Sequence, residues 1–244
     1  MRKLVNLKWW MFVAVLLMGM NSCIDNDDGG SKFYLQYPYM LQNDNGTYTP
    51  QMRLLGYDIE SAFLTIGTER FAFKNLSEFI WELPNQGIYS SSLDSVPFGY
   101  YYVVVNDKNG NTERTTVTFY ASVKKIGSIN INKLEYNSET NKLHVSLKTP
   151  VQNANYYYLM MKMPVVNTAG IAVDETMWVP YSRLDLNETN DLTVTVPLSD
   201  LSEGTFHFAV AASYETTFRI SESITVELKG KNNEKDPTTG GDKE

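Results

Sequence analysis

From residue 33 onward the apolar positions recur mostly at every second residue, in short runs broken by Asn, Asp, Gly and Pro. That is the period of a strand with one buried face. No long stretch carries the 3.6-residue apolar stripe of an amphipathic helix. Residues 142–148 alternate most cleanly: Leu143, Val145 and Leu147 point one way, and Lys142, His144, Ser146 and Lys148 the other. Residues 100–106 and 112–119 flank Asp107-Lys108-Asn109-Gly110-Asn111, a strong hairpin turn because Asn-Gly tolerates positive φ. Alternation puts Tyr101, Val103 and Val105 on one face of that pair, opposite Val117 and Phe119 on the partner.

Further strands are expected at 33–39, at 62–66 and 70–73 as a hairpin about Gly67, and at 126–134, 156–163, 177–179, 192–196, 205–214 and 219–228. Pro180 is expected to close the run at 177–179, because proline cannot donate within a central strand. The strands fall into two regions, 32–124 and 125–228, with the boundary near 121–128. Seven short strands in the second region predict a two-sheet sandwich. The tail at 229–244 lacks the apolar residues to join a core and is expected to be disordered.

Within the second region, Leu201-Ser202-Glu203-Gly204-Thr205-Phe206-His207-Phe208-Ala209-Val210-Ala211-Ala212 resembles the late strand of fibronectin type III and related immunoglobulin-like domains. There a Leu and a Gly precede an alternating aromatic strand. The chain departs from that family in lacking its early Trp and in carrying Phe206 or Phe208 where Tyr is usual. For the first region the resemblance rests mostly on its final hairpin. The fold class it implies is all-β: two tandem immunoglobulin/fibronectin III-like sandwiches after a lipoprotein signal peptide.

The first 22 residues carry that signal. Arg2, Lys3 and Lys8 are followed by an apolar run at 9–20, then Asn21, the small Ser22 and the sole cysteine, Cys23. The run is too short to cross a bilayer as a helix, which takes ~20 residues. The order resembles the bacterial lipoprotein signal, which implies cleavage before Cys23 and lipidation of its thiol; more than one acyl chain makes such an anchor stable. Residues 24–31 are acidic, then rich in Gly and Ser. They resemble the tract behind the lipidated cysteine of Bacteroidetes surface lipoproteins, which implies an outer-membrane protein facing the medium. Read as composition alone they are a solvated tether, equally compatible with a periplasm-facing protein.

Charge and chemistry narrow the function classes. The net charge is −7, and losing the three basic residues of the signal takes it to −10. That argues against nucleic-acid partners, which need clustered Lys and Arg. A single cysteine rules out an internal disulfide, so stability rests on hydrophobic cores. His144 and His207 fall on outward strand faces and could meet only if their strands were neighbours. The Asp107 turn starts like a calcium loop, but Thr118 stands where the loop's closing glutamate belongs. No nucleophile elbow, phosphate loop or His-Glu-x-x-His occurs, and no cofactor is implied.

Two features suggest surface chemistry. Tyr156 and Tyr158 share a strand face, Tyr157 takes the other, and Trp178 and Tyr181 follow nearby. Such rings stack on sugars or anchor protein interfaces, or else pack into a core. Asp94-Ser95-Val96 resembles the three-residue O-glycosylation signal of Bacteroidales, which implies a modified Ser95. The expected function is non-catalytic binding of a glycan or protein at the cell surface, by Tyr156, Tyr158, Trp178 and Tyr181. The alternative is a structural subunit of an outer-membrane complex or surface filament with no ligand of its own.

Overall fold

The computed structural model describes residues 33–66, 68–84, 99–119, 125–148, 150–167, 169–173, 176–185 and 192–229. The segment expected to be a signal peptide, Cys23, Ser95 and the tail from 230 lie outside the described residues. Every regular element among the described residues is a strand.

The first region contributes β1 (Phe33–Gln42), β2 (Tyr48–Gly56), β3 (Ile59–Ile66), β4 (Glu69–Ala72), β5 (Lys74–Asn75), β6 (Ile80–Glu82), β7 (Gly99–Asp107) and β8 (Thr112–Phe119). Strands β1-β2-β6-β5 face the sheet β4-β3-β7-β8. Met52, Leu54, Leu64, Val103 and Phe119 fill the space between. The second region contributes β9 (Asn130–Asn137), β10 (Lys142–Lys148), β11 (Tyr156–Lys162), β12 (Val165–Val166), β13 (Ala172–Val173), β14 (Trp178–Leu184), β15 (Leu192–Pro197), β16 (Gly204–Tyr214) and β17 (Thr217–Leu228). Here β15-β10-β9 faces β14-β11-β16-β17 around Leu143, Val145, Leu159, Phe208 and Val210. The two regions share one plan. In each, the first two strands share a sheet with the strand that precedes the last hairpin, and that hairpin lies in the opposing sheet; β5 extends the first sheet beside β6, and β12 and β13 form a separate two-stranded ribbon.

Local chemistry explains the clearest turn. The Asp107 carboxylate accepts from the Asn109 and Asn111 amides at 2.9 and 2.8 Å and from the Asn111 side chain at 2.8 Å. Gly110 sits at φ +86°, where a side chain would be strained. Those hydrogen bonds, led by the Asn111 side chain, hold the Asp107 carboxyl below its usual 3.8. A depressed folded value means that the unfolded chain binds the proton more readily. The stabilisation is therefore present above the ordinary carboxylate range and is lost as pH falls through the folded value. Asp107→Asn should flatten the acid limb of the melting temperature against pH, while the wild type loses stability progressively over that range.

Two sequence expectations need correction. The strand expected at 126–134 begins only at Asn130. The backbone of Ile126 is instead held by the Gln42 side chain: Ile126 N donates to Oε1 at 2.9 Å and its carbonyl accepts from Nε2 at 3.0 Å. Gly127 N donates to the Gln152 carbonyl at 2.8 Å, an approach so close that a Cβ at Gly127 would lie 3.0 Å from the Gln152 Cβ. Nor does Pro180 end its strand. β14 runs through it to Leu184, because β14 is the edge of its sheet and the register shifts between Leu159 and Met160 opposite.

The two sandwiches are not beads on a string. β1 pairs in parallel with β17 at Met40–Thr217 and Leu41–Phe218, so one sheet of eight strands runs through both, in the order β14-β11-β16-β17-β1-β2-β6-β5. A flat sheet would hold β1 and β14 four steps apart, about 19 Å at normal strand spacing. Instead the Tyr39 hydroxyl donates to the Trp178 carbonyl at 2.8 Å. The sheet therefore folds back on itself at the β1–β17 seam. The bend is shared by a register shift between Gln36 and Tyr39 on β1, where Tyr37 has φ 48°, and another between Ala209 and Ala211 on β16. Folding back closes a third core made of Tyr39, Met160, Met177, Val179, Ala211 and Phe218.

Candidate functional site

The third core has a polar half. Arg53 on β2 and Glu82 on β6 sit opposite each other in the ladder, and both side chains are almost wholly buried. Arg53 Nε donates to Glu82 Oε1 at 2.7 Å, and Nη2 reaches the same oxygen. The other carboxylate oxygen accepts from the Met177 amide at 2.8 Å. Arg53 Nη1 approaches the Met163 sulfur at 3.7 Å. One ion pair from the first sandwich thus bonds both arms of the β11–β14 connection in the second. Burial, and then the Glu82 carboxylate, push the Tyr39 phenol well above its usual 10.0, against the opposing pull of Arg53. Tyr39 remains a neutral donor to Trp178 over the physiological range.

A second clamp closes the seam. Gln42 brackets Ile126 as described, and the Arg219 guanidinium donates to the Ile126 carbonyl at 3.1 Å and to Asp44 Oδ1 at 2.8 Å. Arg219 on β17 is joined in this way to the β1–β2 turn and to the segment linking the two regions. An Arg with a fixed fork of donors suits such a three-way contact.

The four ring candidates do not form one platform. Tyr157 lies on the face of β11 opposite Tyr156 and Tyr158, which is the inward one, and its hydroxyl oxygen accepts from the Val151 amide at 2.8 Å. Tyr158 packs against the third core with its ring 5.3 Å from Phe218. Trp178 lies beside the same core, with the Lys162 ammonium 5.1 Å from its ring centre. Tyr181 turns to the opposite side of the sheet, edge-on to Phe208 at 5.9 Å, with its hydroxyl donating to the Pro197 carbonyl at 3.2 Å. Burial, and then the Asp200 charge, push its phenol up to about 12. Tyr156 alone is exposed, at 41%, and the Arg183 guanidinium lies 4.6 Å from its ring centre.

The histidines stay apart. His144 on β10 bonds Thr195 across the strand at 3.0 Å, and His207 on β16 bonds Thr225 at 3.0 Å. They belong to different sheets. No group of three His, Cys, Asp or Glu converges among the described residues.

Sequence reasoning missed the Arg53–Glu82 pair. Its only signal was a charge on the polar face of 48–54, where Tyr48, Pro50, Met52 and Leu54 alternate with Thr49, Gln51 and Arg53. A polar strand face reads the same in sequence whether water or another part of the fold covers it.

No protein-family model matches the chain, and no curated protein is similar to it. Among solved structures it is similar to a tetra-tandem repeat from the extending region of a large adhesion protein, at 14% identity and a TM-score of 0.26, over 82% of this chain and 49% of that one. The chain thus spans about half the length of that repeat array. It is also similar to murine CEACAM1b, at 12% identity and a TM-score of 0.23, over 82% of this chain and 99% of that one.

Proposed function

We propose that this is a non-catalytic, lipid-anchored envelope protein of a Gram-negative bacterium that serves as a rigid structural module of a surface assembly. The observation that carries the reading is the seam. A continuous sheet, a buried ion pair and a third core join the two sandwiches. Three of the four candidate ligand rings are tied up in packing rather than offered to a ligand. A rigid body suits a load-bearing or spacing part. Domains joined by a small, polar interface move relative to one another by default, and a large apolar seam removes that freedom. The anchor is Cys23, with residues 24–31 as the tether. Surface proteolysis of intact cells, comparing wild type with Cys23→Ala, tests the reading. Digestion on wild-type cells and release of the variant into the medium are expected, together with copurification of a barrel transporter or filament subunit. Release of neither form, or isolation of the protein without any envelope partner, would contradict it.

Glycan or protein capture is the second reading, and Tyr156 favours it. Its exposed ring beside Arg183 is the one candidate still available for stacking. Tyr156→Ala should then abolish retention on a glycan array while changing stability by no more than about 0.5 kcal/mol, as for other surface substitutions. Unchanged retention would remove Tyr156, and with it the aromatic basis for this reading.

A further inference from the structure

Five large apolar side chains stand exposed among the described residues: Tyr34, Tyr57, Tyr156, Val166 and Ile171. Tyr34 and Tyr57 lie at the open end of the β1–β2 hairpin, and Val166 and Ile171 at the β12–β13 turn. Tyr34 on β1 pairs with Leu55, two residues before Tyr57, whose ring lies 4.7 Å from Phe79. Val166 and Ile171 flank the turn between β12 and β13, closed by Asn167 Oδ1 accepting from the Ala169 and Ile171 amides at 3.0 and 2.9 Å.

Two contacts give the direction in which the chain leading into this hairpin runs along the first sandwich. Tyr39 meets Trp178, and Arg53, paired with Gln36, meets Met163. Moving from Tyr39 toward the start of β1 is therefore moving from β11 into the β12–β13 hairpin. Tyr34 lies beyond Gln36 just as Val165 lies beyond Met163. From Met163 to Val173 the chain carries no charged residue.

We propose that this end rests on the lipid bilayer that holds Cys23, with Tyr34 and Tyr57 at headgroup level and the Val166–Ile171 tip dipping into the interface. The inference builds on the lipid-anchor reading above. The chain itself supplies the argument for a membrane over another occupant. Phe33 is the tenth residue after Cys23, so the tether reaches at most about 33–36 Å even when fully extended. It enters the fold at Phe33, beside Tyr34, and so delivers this end first to the lipid surface. Tyrosine rings favour that boundary because one end is apolar and the other polar. Charge does not drive the contact. Asp58 is beside Lys108, 3.9 Å away, and Glu78 next to Phe79 is exposed. Added salt should leave the contact unchanged.

Because Cys23 is the sole cysteine and is consumed by lipid, a cysteine placed elsewhere is a unique thiol for an environment-sensitive fluorophore. The full lipoprotein carrying Tyr34→Cys, Ile171→Cys or Asn45→Cys is reconstituted into vesicles of phosphatidylethanolamine and phosphatidylglycerol. Asn45 lies at the opposite tip of the β1–β2 hairpin. The labels at 34 and 171 are expected to shift to the blue and to lose most of their emission to nitroxide-bearing lipids. The label at 45 should stay bright and open to aqueous iodide. If the protein floats with the vesicles but all three labels behave like the one at 45, the membrane-facing end is wrong and the anchor stands. If it fails to float, the anchor reading falls and the inference falls with it.

Discussion

Arg53→Met lowers the unfolding free energy by about 3–5 kcal/mol, the usual cost of leaving one member of a buried ion pair without its partner. The Glu82 carboxylate would keep the Met177 amide but lose its only counter-ion among the described residues, in a site where both side chains are about 5% exposed or less. The direction of the double change is as informative. Arg53→Met with Glu82→Leu should recover much of the loss, because an apolar pair of similar volume avoids the desolvation cost of two charges. It forfeits the hydrogen bond to the Met177 amide, so recovery is incomplete. Urea denaturation of the wild type and the two variants checks this. Equal loss in the single and double variants would mean that the pair acts by shape and not by charge.

Tyr39→Ala has a comparable cost, about 3–5 kcal/mol for removing a buried aromatic ring. Its consequence is more specific. Tyr39 contributes to the third core, its ring lies 4.8 Å from Phe218, and its hydroxyl reaches Trp178. The substitution empties the space between the two halves of the folded sheet while leaving each sandwich core intact. Unfolding should then split into two transitions, where the wild type shows one. Tyr39→Phe keeps the ring, loses only the bond to the Trp178 carbonyl, and should cost about 1 kcal/mol without splitting the transition.

Much of the fold was legible in the sequence, for a physical reason. Strands with one face in a core and one in water alternate, and β7, β8 and β10 do so along residues such as Val103, Val117 and Leu143. The turn at Asp107 was legible because its hydrogen bonds are local. β2 was not. Every one of its residues is buried, with Met52 and Leu54 in the first core and Thr49, Gln51 and Arg53 turned to the other side. Burial of polar residues on an outward face depends on a partner sheet far away in sequence, and periodicity carries no record of it. The same cause packs Tyr158 and Trp178 against the third core, one of the two readings their pattern left open. Tyr156 and Trp178 looked alike in the sequence, yet only Trp178 lies where the first sandwich folds over.

The single most direct test of the fused architecture is differential scanning calorimetry of the lipid-free Cys23→Ser protein lacking its signal segment. One transition, with the calorimetric enthalpy equal to the van't Hoff enthalpy, is the result expected if the folded-back sheet makes the two sandwiches one cooperative body. Two separable transitions in the wild-type sequence would show that the sandwiches stand independently, and the rigid structural role would fall with the seam.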